Sequence, residues 1–212
     1  GFERLGHLSR MPLPGGEAAI REPWRIAAGL GLLRRVPEGR TERDVEAAAR
    51  AAHDPAFSPP TSSCGRLFDA AAALLGFDRR VEFEGEAAMW LEALASEASG
   101  APRRAGLDEA ARLPNCGLDG RALLAALDAR AGGGRALGAD ERRALALGFH
   151  LTLAEGLARA AADAALGLGH RELYLSGGVF QNRLFAEAIA AALERGGIEP
   201  ILGSRVPVND AC

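Results

Sequence analysis

Leu173-Tyr174-Leu175-Ser176-Gly177-Gly178-Val179-Phe180-Gln181-Asn182 is the stretch that decides the fold of this 212-residue chain. Its first three residues are an apolar, β-prone run that predicts a buried strand. Ser176-Gly177-Gly178 then predicts a turn. The apolar residues that follow, up to Ile189, recur at helical spacing. A strand, a glycine turn and a helix in this order are typical of α/β proteins.

The glycine turn has two interpretations, and the pattern alone leaves both open. Glycines let the backbone approach a ligand closely, and a helix that follows offers unpaired N–H groups and a positive dipole end to phosphate. Alternatively, the two glycines only make a tight connection between strand and helix.

Composition and charge restrict the function classes. The net charge of -3 gives no electrostatic argument for binding nucleic acid or an anionic membrane. The chain has no apolar run of transmembrane length, and its first residues lack the pattern of a signal peptide, so a cytoplasmic location is the default expectation.

Cysteine, lysine and histidine usage excludes several kinds of chemistry. The three cysteines form no CxxC pair, which argues against a disulfide framework or a cysteine zinc site. Every basic residue is arginine, so a Walker-type phosphate loop and a Schiff base are excluded. No paired-histidine spacing and no Gly-x-Ser-x-Gly elbow occurs.

Periodicity and capping signals predict a helix-rich chain. Pro23 lies in the first turn of a helix that runs to about Arg34, and Thr41 is a suitable N-cap for the next one. A later helix has Met89, Leu91 and Leu94 as its core stripe. The remaining expected elements are helices over 42–52, 66–75, 87–98, 120–131 (N-cap Asp119), 140–168 (first residue Asp140) and up to 195, and a strand near 198–202.

Four polar positions have a structural and a functional interpretation. Asp69 stands among apolar residues, and its spacing favours an outward-pointing side chain over a buried functional one. Acidic residues such as Glu86 are favoured at a helix N-terminus in any case. His150 is expected to be a hydrogen-bonded core residue and not a metal ligand. Arg21 is either a surface charge or an anion ligand, and its role stays open.

Six phrases of the sequence together point to a known family. They are Pro14-Gly15-Gly16-Glu17-Ala18-Ala19-Ile20-Arg21-Glu22-Pro23-Trp24-Arg25, Thr61-Ser62-Ser63-Cys64-Gly65-Arg66-Leu67-Phe68-Asp69-Ala70, Phe83-Glu84-Gly85-Glu86-Ala87-Ala88, Gly148-Phe149-His150, Leu175-Ser176-Gly177-Gly178-Val179-Phe180-Gln181-Asn182 and Val206-Pro207-Val208-Asn209-Asp210. In these phrases and their order, the chain resembles the C-terminal part of HypF-type carbamoyltransferases over its whole length.

This resemblance implies an α/β fold of the actin-like (ASKHA) nucleotide-binding type. Residues 61–212 would form its helix-rich second lobe, and residues 1–60 would belong to the first lobe and the interlobe region. The implied activity is carbamoyl transfer from carbamoyl phosphate, through ATP and carbamoyl-adenylate, to the C-terminal cysteine thiol of a HypE-like acceptor during [NiFe]-hydrogenase maturation.

The resemblance also implies site residues. Asp69 would accept hydrogen bonds from the ribose hydroxyls, a role that suits a carboxylate. Asp210 would be one ligand of a divalent metal, iron or zinc with magnesium as an alternative. The other nucleotide-lining residues would be Gly65, Gly85, Glu86, Ser176, Gly177, Gly178, Val179 and Asn182. The resemblance assigns no catalytic residue.

One departure from the family pattern bears on activity. The histidine pair that related proteins use for the metal is not in this sequence, and one carboxylate cannot hold a catalytic metal, which usually needs three or more protein ligands. We therefore expect the chain to be a fragment that is inactive without the remaining HypF domains. Two alternatives are a non-catalytic nucleotide-binding or assembly module and an O-carbamoyltransferase of the same fold; an actin-fold kinase is disfavoured.

Overall fold

The computed structural model describes residues 3–99, 118–132 and 136–202. The described elements are short strands and longer helices. In chain order they are β1 (Met11–Pro12), α1 (Glu17–Arg21), α2 (Trp24–Gly29), α3 (Glu42–Ala51), β2 (Pro60–Thr61), α4 (Cys64–Leu75), α5 (Glu86–Ser99), α6 (Gly120–Arg130), α7 (Ala139–Gly167), β3 (Glu172–Leu175), a 3₁₀ turn (Gly178–Gln181), α8 (Arg183–Arg195) and β4 (Glu199–Leu202).

Helix α4 is the centre of the described part of the chain. Its residues 67–73 and Leu75 are buried, and it packs against α2, α5, α6, α7 and the 3₁₀ turn. Four consecutive alanines, 70–73, let neighbouring helices approach its axis closely, because a methyl group adds little thickness to the interface. Trp24 of α2 and Ala73 share one apolar cluster, so α4 joins the N-terminal helices to the main core.

The long helix α7 packs along α5 and α8. Its buried residues include six alanines, which agrees with the close helix packing that its composition predicts. Together with α4 these helices enclose the main core, where Phe68, Phe149 and Phe185 meet edge to face, with ring centroids 5.3 Å apart for Phe68–Phe149 and 5.5 Å apart for Phe68–Phe185.

The two C-terminal strands form a parallel pair. β3 and β4 run in register from Glu172↔Glu199 to Leu175↔Leu202, and the 3₁₀ turn and α8 supply the crossover that parallel strands require. Leu173 and Leu175 pack against the helical core, whereas the Tyr174 side chain is 76% exposed. The prediction of a buried strand is therefore wrong, because helices cover only one face of this sheet in the described residues.

Several element boundaries test the local signals. Thr41 caps α3 in a full capping box with Asp44, and Asp119 caps α6, so both predictions are confirmed. The helix after Pro23 ends at Gly29 instead of near Arg34, because the chain turns at Gly31 with φ +72°. The longest helix, α7, begins at Ala139, one residue before the predicted Asp140, and its N-cap is Gly138.

The predicted core stripe of α5 is correct only in part. Leu91 is buried and Leu94 packs against the core, but Met89 is 58% exposed. Alanines 87 and 95 occupy the buried positions beside Leu91 instead. Small residues carry the contact because α5 lies close to α4 and α7.

The predicted division at residue 60 stays a prediction. In the structure β1 pairs with β2 across that position, with Met11 opposite Thr61, and α2 packs on α4. The segment that contains Asp210 lies outside the described residues. None of the described helices combines the length and hydropathy needed to cross a bilayer.

Candidate functional site

The carboxylate of Asp69 is the most unusual polar group in the core. Asp69 is 3% exposed on the second turn of α4, which contradicts the outward orientation that its spacing favours. Arg66 lies one turn earlier, and its Nη1 is 2.7 Å from Asp69 Oδ2. That contact lacks hydrogen-bond geometry, so Oδ2 is buried without a hydrogen-bond partner in the described part of the chain.

Burial also changes the acidity of Asp69. Desolvation raises its pKa to about 6, the Arg66 guanidinium opposes that rise, and the negative charge of Glu84 adds to it. Glu84 precedes α5, so its influence shows that the loop before α5 faces this part of α4. A buried acceptor oxygen without a hydrogen bond is a suitable partner for a donor on a ligand, such as a ribose hydroxyl.

The loop before α5 is held by Glu86. The Glu86 carboxylate accepts a hydrogen bond of 2.6 Å from the Glu82 backbone N–H and forms an ion pair with Arg79. The backbone bond from Glu82 is the main reason that the pKa of Glu86 is lowered. Gly85 has φ +84°, and a Cβ there would meet nothing within 4 Å. Glu86 therefore orders the loop, and Gly85 leaves open space beside it.

The glycine turn after β3 is open on its outer side. Gly177 has φ +110°, a conformation that favours glycine, and a Cβ at Gly177 or Gly178 would meet nothing within 4 Å. In the described part of the chain, the backbone N–H groups of Gly177, Gly178 and Val179 have no hydrogen-bond partner. Ser176 is exposed beside them. This segment, Ser176–Val179, is called the glycine loop below.

The start of α8 differs from the expectation of unpaired N–H groups. Asn182 Oδ1 accepts a hydrogen bond from Phe185 N at 2.9 Å, and Glu92 of α5 accepts one from Leu184 N at 3.2 Å. Two N–H groups of the first turn are therefore already bound by side chains. Among the described residues, backbone N–H groups without a hydrogen-bond partner lie in the glycine loop, which precedes the helix in the chain.

His150 on α7 is bound to the same asparagine. It is fully buried; its Nδ1 lies 2.8 Å from the Ala146 carbonyl oxygen, and its Nε2 lies 3.1 Å from Asn182 Nδ2. Burial lowers the pKa of His150 to about 4, with the hydrogen bond to Ala146 acting in the opposite direction. The histidine is thus a neutral core residue, as the sequence predicts.

The packing around α4 brings these segments towards one another. Phe68, next to Asp69, places its ring 5.1 Å from the His150 ring, and α4 contacts the 3₁₀ turn. Gly65 lies in the first turn of α4, about one turn before Asp69 along the helix. α4 thus contacts both α5 and the 3₁₀ turn that begins at Gly178, and the Asn182 side chain is buried beside His150. Whether these segments line one nucleotide site stays a prediction.

A metal site is not formed by the described residues. They contain no group of three histidine, cysteine, aspartate or glutamate side chains that could hold an ion, and Asp210 lies outside them. The divalent metal that the resemblance implies therefore stays a prediction, and we derive no step through it.

Two cavities lie apart from the predicted nucleotide-lining residues. One of about 240 Å³ is lined by Arg34, Arg35, Asp128 and Arg142 near the C-terminal end of α4. The other, of about 190 Å³, is lined by Glu17, Ala18, Arg21, Glu22 and Arg80. Arg21 forms an ion pair with Glu17 there, which is consistent with a structural role for its side chain.

Sequence reasoning missed two contacts of this region. The pair of Arg66 and Asp69 has the i,i+3 spacing of a helical ion pair, so the sequence did contain a signal for it. The hydrogen bond from Leu184 N to Glu92 spans 92 residues, and no local pattern indicates it.

Comparison with known proteins identifies the family to which this chain is similar. The family model described as "Carbamoyltransferase, Kae1-like Domain, second subdomain" matches residues 1–212. A carbamoyltransferase HypF homolog of Cupriavidus necator is 40% identical over 222 residues, which cover 98% of this chain and 54% of the relative. HypF of Rhizobium leguminosarum bv. viciae is 39% identical over 99% of this chain and 26% of the relative.

Solved structures agree with these matches. A crystal structure of full-length HypF in the phosphate- and nucleotide-bound form has a TM-score of 0.78 and 28% identity, covering 99% of this chain and 33% of that one. The crystal structure of T. kodakarensis HypF has a TM-score of 0.75 and 29% identity over 98% of this chain and 28% of that one. The predicted α/β fold class is confirmed.

The chain thus spans about half, or about a quarter, of the length of the relatives named above. Its match to the family model extends over every residue. The chain therefore belongs to the family of the second subdomain of the Kae1-like carbamoyltransferase domain found in HypF proteins.

Proposed function

We propose that this chain supplies the nucleotide-facing half of a carbamoyltransferase. The observation that carries the proposal is the buried Asp69 carboxylate, whose Oδ2 has no hydrogen bond in the described part of the chain. In the described part of the chain, backbone N–H groups of the glycine loop have no hydrogen-bond partner, and the 3₁₀ turn that begins at Gly178 contacts α4. Carboxylate and backbone N–H groups are complementary to a ribose diol and to phosphate oxygens, respectively.

The reaction that we propose for the complete enzyme is acyl transfer. Carbamoyl phosphate is hydrolysed to carbamate and phosphate, and a carbamate oxygen then attacks the α-phosphorus of ATP, so that carbamoyl-adenylate forms and pyrophosphate leaves. The carbamoyl group passes from the adenylate to the C-terminal cysteine thiol of a HypE-like acceptor. The sulfur forms a bond to the carbamoyl carbon, the bond from that carbon to the phosphate oxygen breaks, and AMP leaves. The residues described above bind and orient the nucleotide, and we assign none of them to the proton transfer.

Nucleotide binding tests this proposal most directly. We expect calorimetry with the full chain to show ATP binding that weakens at least about tenfold in Asp69→Ala, the loss typical of a hydrogen bond to a charged group. Asp163→Ala, which removes an exposed carboxylate from α7, is the matched control and is expected to bind like the wild type. A folded chain that binds no ATP, or an Asp69→Ala variant with unchanged affinity, would contradict the proposal.

A pair of glycine variants tests the loop separately from stability. Gly178→Ala is expected to keep the free energy of unfolding, since the new methyl group meets nothing and φ is not positive there, yet to weaken ATP binding by filling the loop's open side. Gly177→Ala is expected to lower the free energy of unfolding by about 1–3 kcal/mol, because its φ of +110° strains any other residue.

Transfer itself separates an enzyme from a binding module. We expect the chain alone to leave a cysteine-ending acceptor protein unmodified with ATP and carbamoyl phosphate. Adding the remaining HypF domains should produce a carbamoylated thiol, detected by mass spectrometry. ATP binding without transfer in the completed mixture would instead support the non-catalytic module.

A further inference from the structure

The side chain of His150 contacts Asn182, one of the predicted nucleotide-lining residues. Asn182 ends the 3₁₀ turn, with its N–H donating to the Val179 carbonyl at 3.1 Å, and begins α8, with Oδ1 accepting from Phe185 N at 2.9 Å. The orientation of its amide therefore determines how the glycine loop joins the helix.

The hydrogen-bond partners permit one arrangement of this amide. Because Oδ1 faces the Phe185 N–H, Nδ2 faces His150 Nε2, which must accept. His150 Nδ1 must then carry the proton and donate it to the Ala146 carbonyl oxygen. The Phe185 N–H, one Nδ2–H of Asn182 and the Nδ1–H of His150 thus each have an acceptor. A ring without an acceptor at Nε2 would leave that buried N–H of Asn182 unpaired.

The His150 ring is itself held in place from the other side. The Phe68 ring lies edge to face with it, at 5.1 Å and 72°, and Phe68 precedes Asp69 on α4. The contacts therefore run from the helix of the proposed ribose-binding carboxylate, through Phe68 and His150, to the residue that anchors the glycine loop.

We propose that His150 is a positioning residue that, through the amide of Asn182, fixes the glycine loop for nucleotide binding. Its part in binding rests on the proposed function, whereas its hold on the loop does not. The loop has three backbone N–H groups without a hydrogen bond in the described part of the chain. Val179 packs against the core at one side of the loop, and Asn182 joins the loop to α8 by hydrogen bonds.

Hydrogen exchange of the full chain without nucleotide tests the hold on the loop. His150→Phe keeps a buried aromatic ring but has no hydrogen-bond acceptor. In this variant the backbone N–H groups of Asn182 and Phe185 are expected to exchange about tenfold faster relative to those of α4, which is the effect of losing one hydrogen bond. In His150→Gln, whose amide oxygen can accept from Asn182, their exchange is expected to return towards the wild-type rate.

Leu153→Ala is the control for general destabilisation. Leu153 is buried on the same helix, and its truncation is expected to accelerate exchange throughout the core without singling out Asn182 and Phe185. Equal exchange of these two amides in the wild type and His150→Phe would overturn the proposal. So would a His150→Phe profile as uniform as that of Leu153→Ala.

ATP affinity measured on the same variants tests the consequence for binding. His150→Phe is expected to bind about tenfold more weakly than the wild type and His150→Gln nearly as well. Unchanged affinity in His150→Phe beside faster exchange would overturn the link to nucleotide binding. Absence of ATP binding in the wild type would instead refute the proposed function, while the exchange result would still decide whether His150 holds the loop.

Discussion

Asp69 and His150 are buried ionisable residues whose pKa values move in opposite directions. Burial raises the pKa of Asp69 from 3.8 to about 6 and lowers that of His150 from 6.5 to about 4. Each pKa change corresponds to a difference of about 3 kcal/mol in the free energy of unfolding between the two ends of its pH range. The contributions of both groups to stability therefore change over nearly the same range of pH. Phe68, the residue before Asp69, packs its ring against that of His150.

The signs of these contributions predict a distinctive pH dependence. Folded Asp69 binds its proton more tightly than the unfolded chain does, so its stabilising contribution is lost as pH rises from about 4 to about 6. Folded His150 binds its proton less tightly, so its contribution is lost as pH falls from about 6.5 to about 4. In the wild type we expect the two slopes largely to cancel.

Single variants should reveal the slopes in urea titrations over this range. Asp69→Asn is expected to gain stability with rising pH and, near pH 7, to exceed the wild-type free energy of unfolding by about 1–3 kcal/mol. His150→Gln is expected to lose stability as pH rises. Parallel pH profiles of the wild type and both variants would contradict the assignment. If Asp69→Asn is more stable than the wild type but binds ATP poorly, the carboxylate of Asp69 serves nucleotide binding at a cost in stability.

Among the secondary-structure elements, α3 has a start that a local sequence signal, its capping box, predicts correctly. Thr41 Oγ1 accepts from Asp44 N at 3.3 Å, and Asp44 Oδ2 accepts from Thr41 N at 2.8 Å, which is the reciprocal capping box. The Thr41 hydroxyl also donates to Asp44 Oδ2, which is the main reason that the pKa of Asp44 is lowered, and the hydrogen bond from Thr41 N adds to the effect. All of these contacts lie within four residues, so the sequence could predict the start of the helix.

Removing this cap should weaken α3 without affecting the proposed site. Thr41→Ala is expected to lower the free energy of unfolding by about 1 kcal/mol, measured by urea denaturation, and to leave ATP affinity unchanged. Arg43→Ala, an exposed position in the same turn, is the control and should remain within about 0.5 kcal/mol of the wild type. Equal stability of the two variants would show that the capping box contributes nothing.

In the molecule as a whole, stability depends on the core around α4 and not on the outer face of the sheet. Phe185 is fully buried, whereas Tyr174 is 76% exposed. Both belong to the stretch of strand, turn and helix that predicted the fold. Their burial could not be ranked from the sequence, because each is one aromatic residue in an apolar run.

The two aromatic positions should therefore respond very differently to truncation. Phe185→Ala is expected to lower the free energy of unfolding by about 3–5 kcal/mol because it leaves a cavity beside Phe68, and Tyr174→Ala should change it by less than about 0.5 kcal/mol. Urea denaturation measures both. If Phe185→Ala does not fold, Phe185→Leu should still be clearly less stable than Tyr174→Ala, and the reverse order would contradict the packing described here.

The sequence by itself determined the helices from α2 onwards and the two C-terminal strands, the caps at Thr41 and Asp119, and the motifs that assign the family. Those features depend on residues a few positions apart, where side-chain type, spacing and backbone preference act directly. Tertiary structure alone decided that Asp69 is buried and that Tyr174 is exposed, and it joined His150 to Asn182 across 32 residues and Glu92 to Leu184 across 92. Such contacts form only when packing brings distant segments together, because burial depends on what covers a residue and not on its neighbours in the chain.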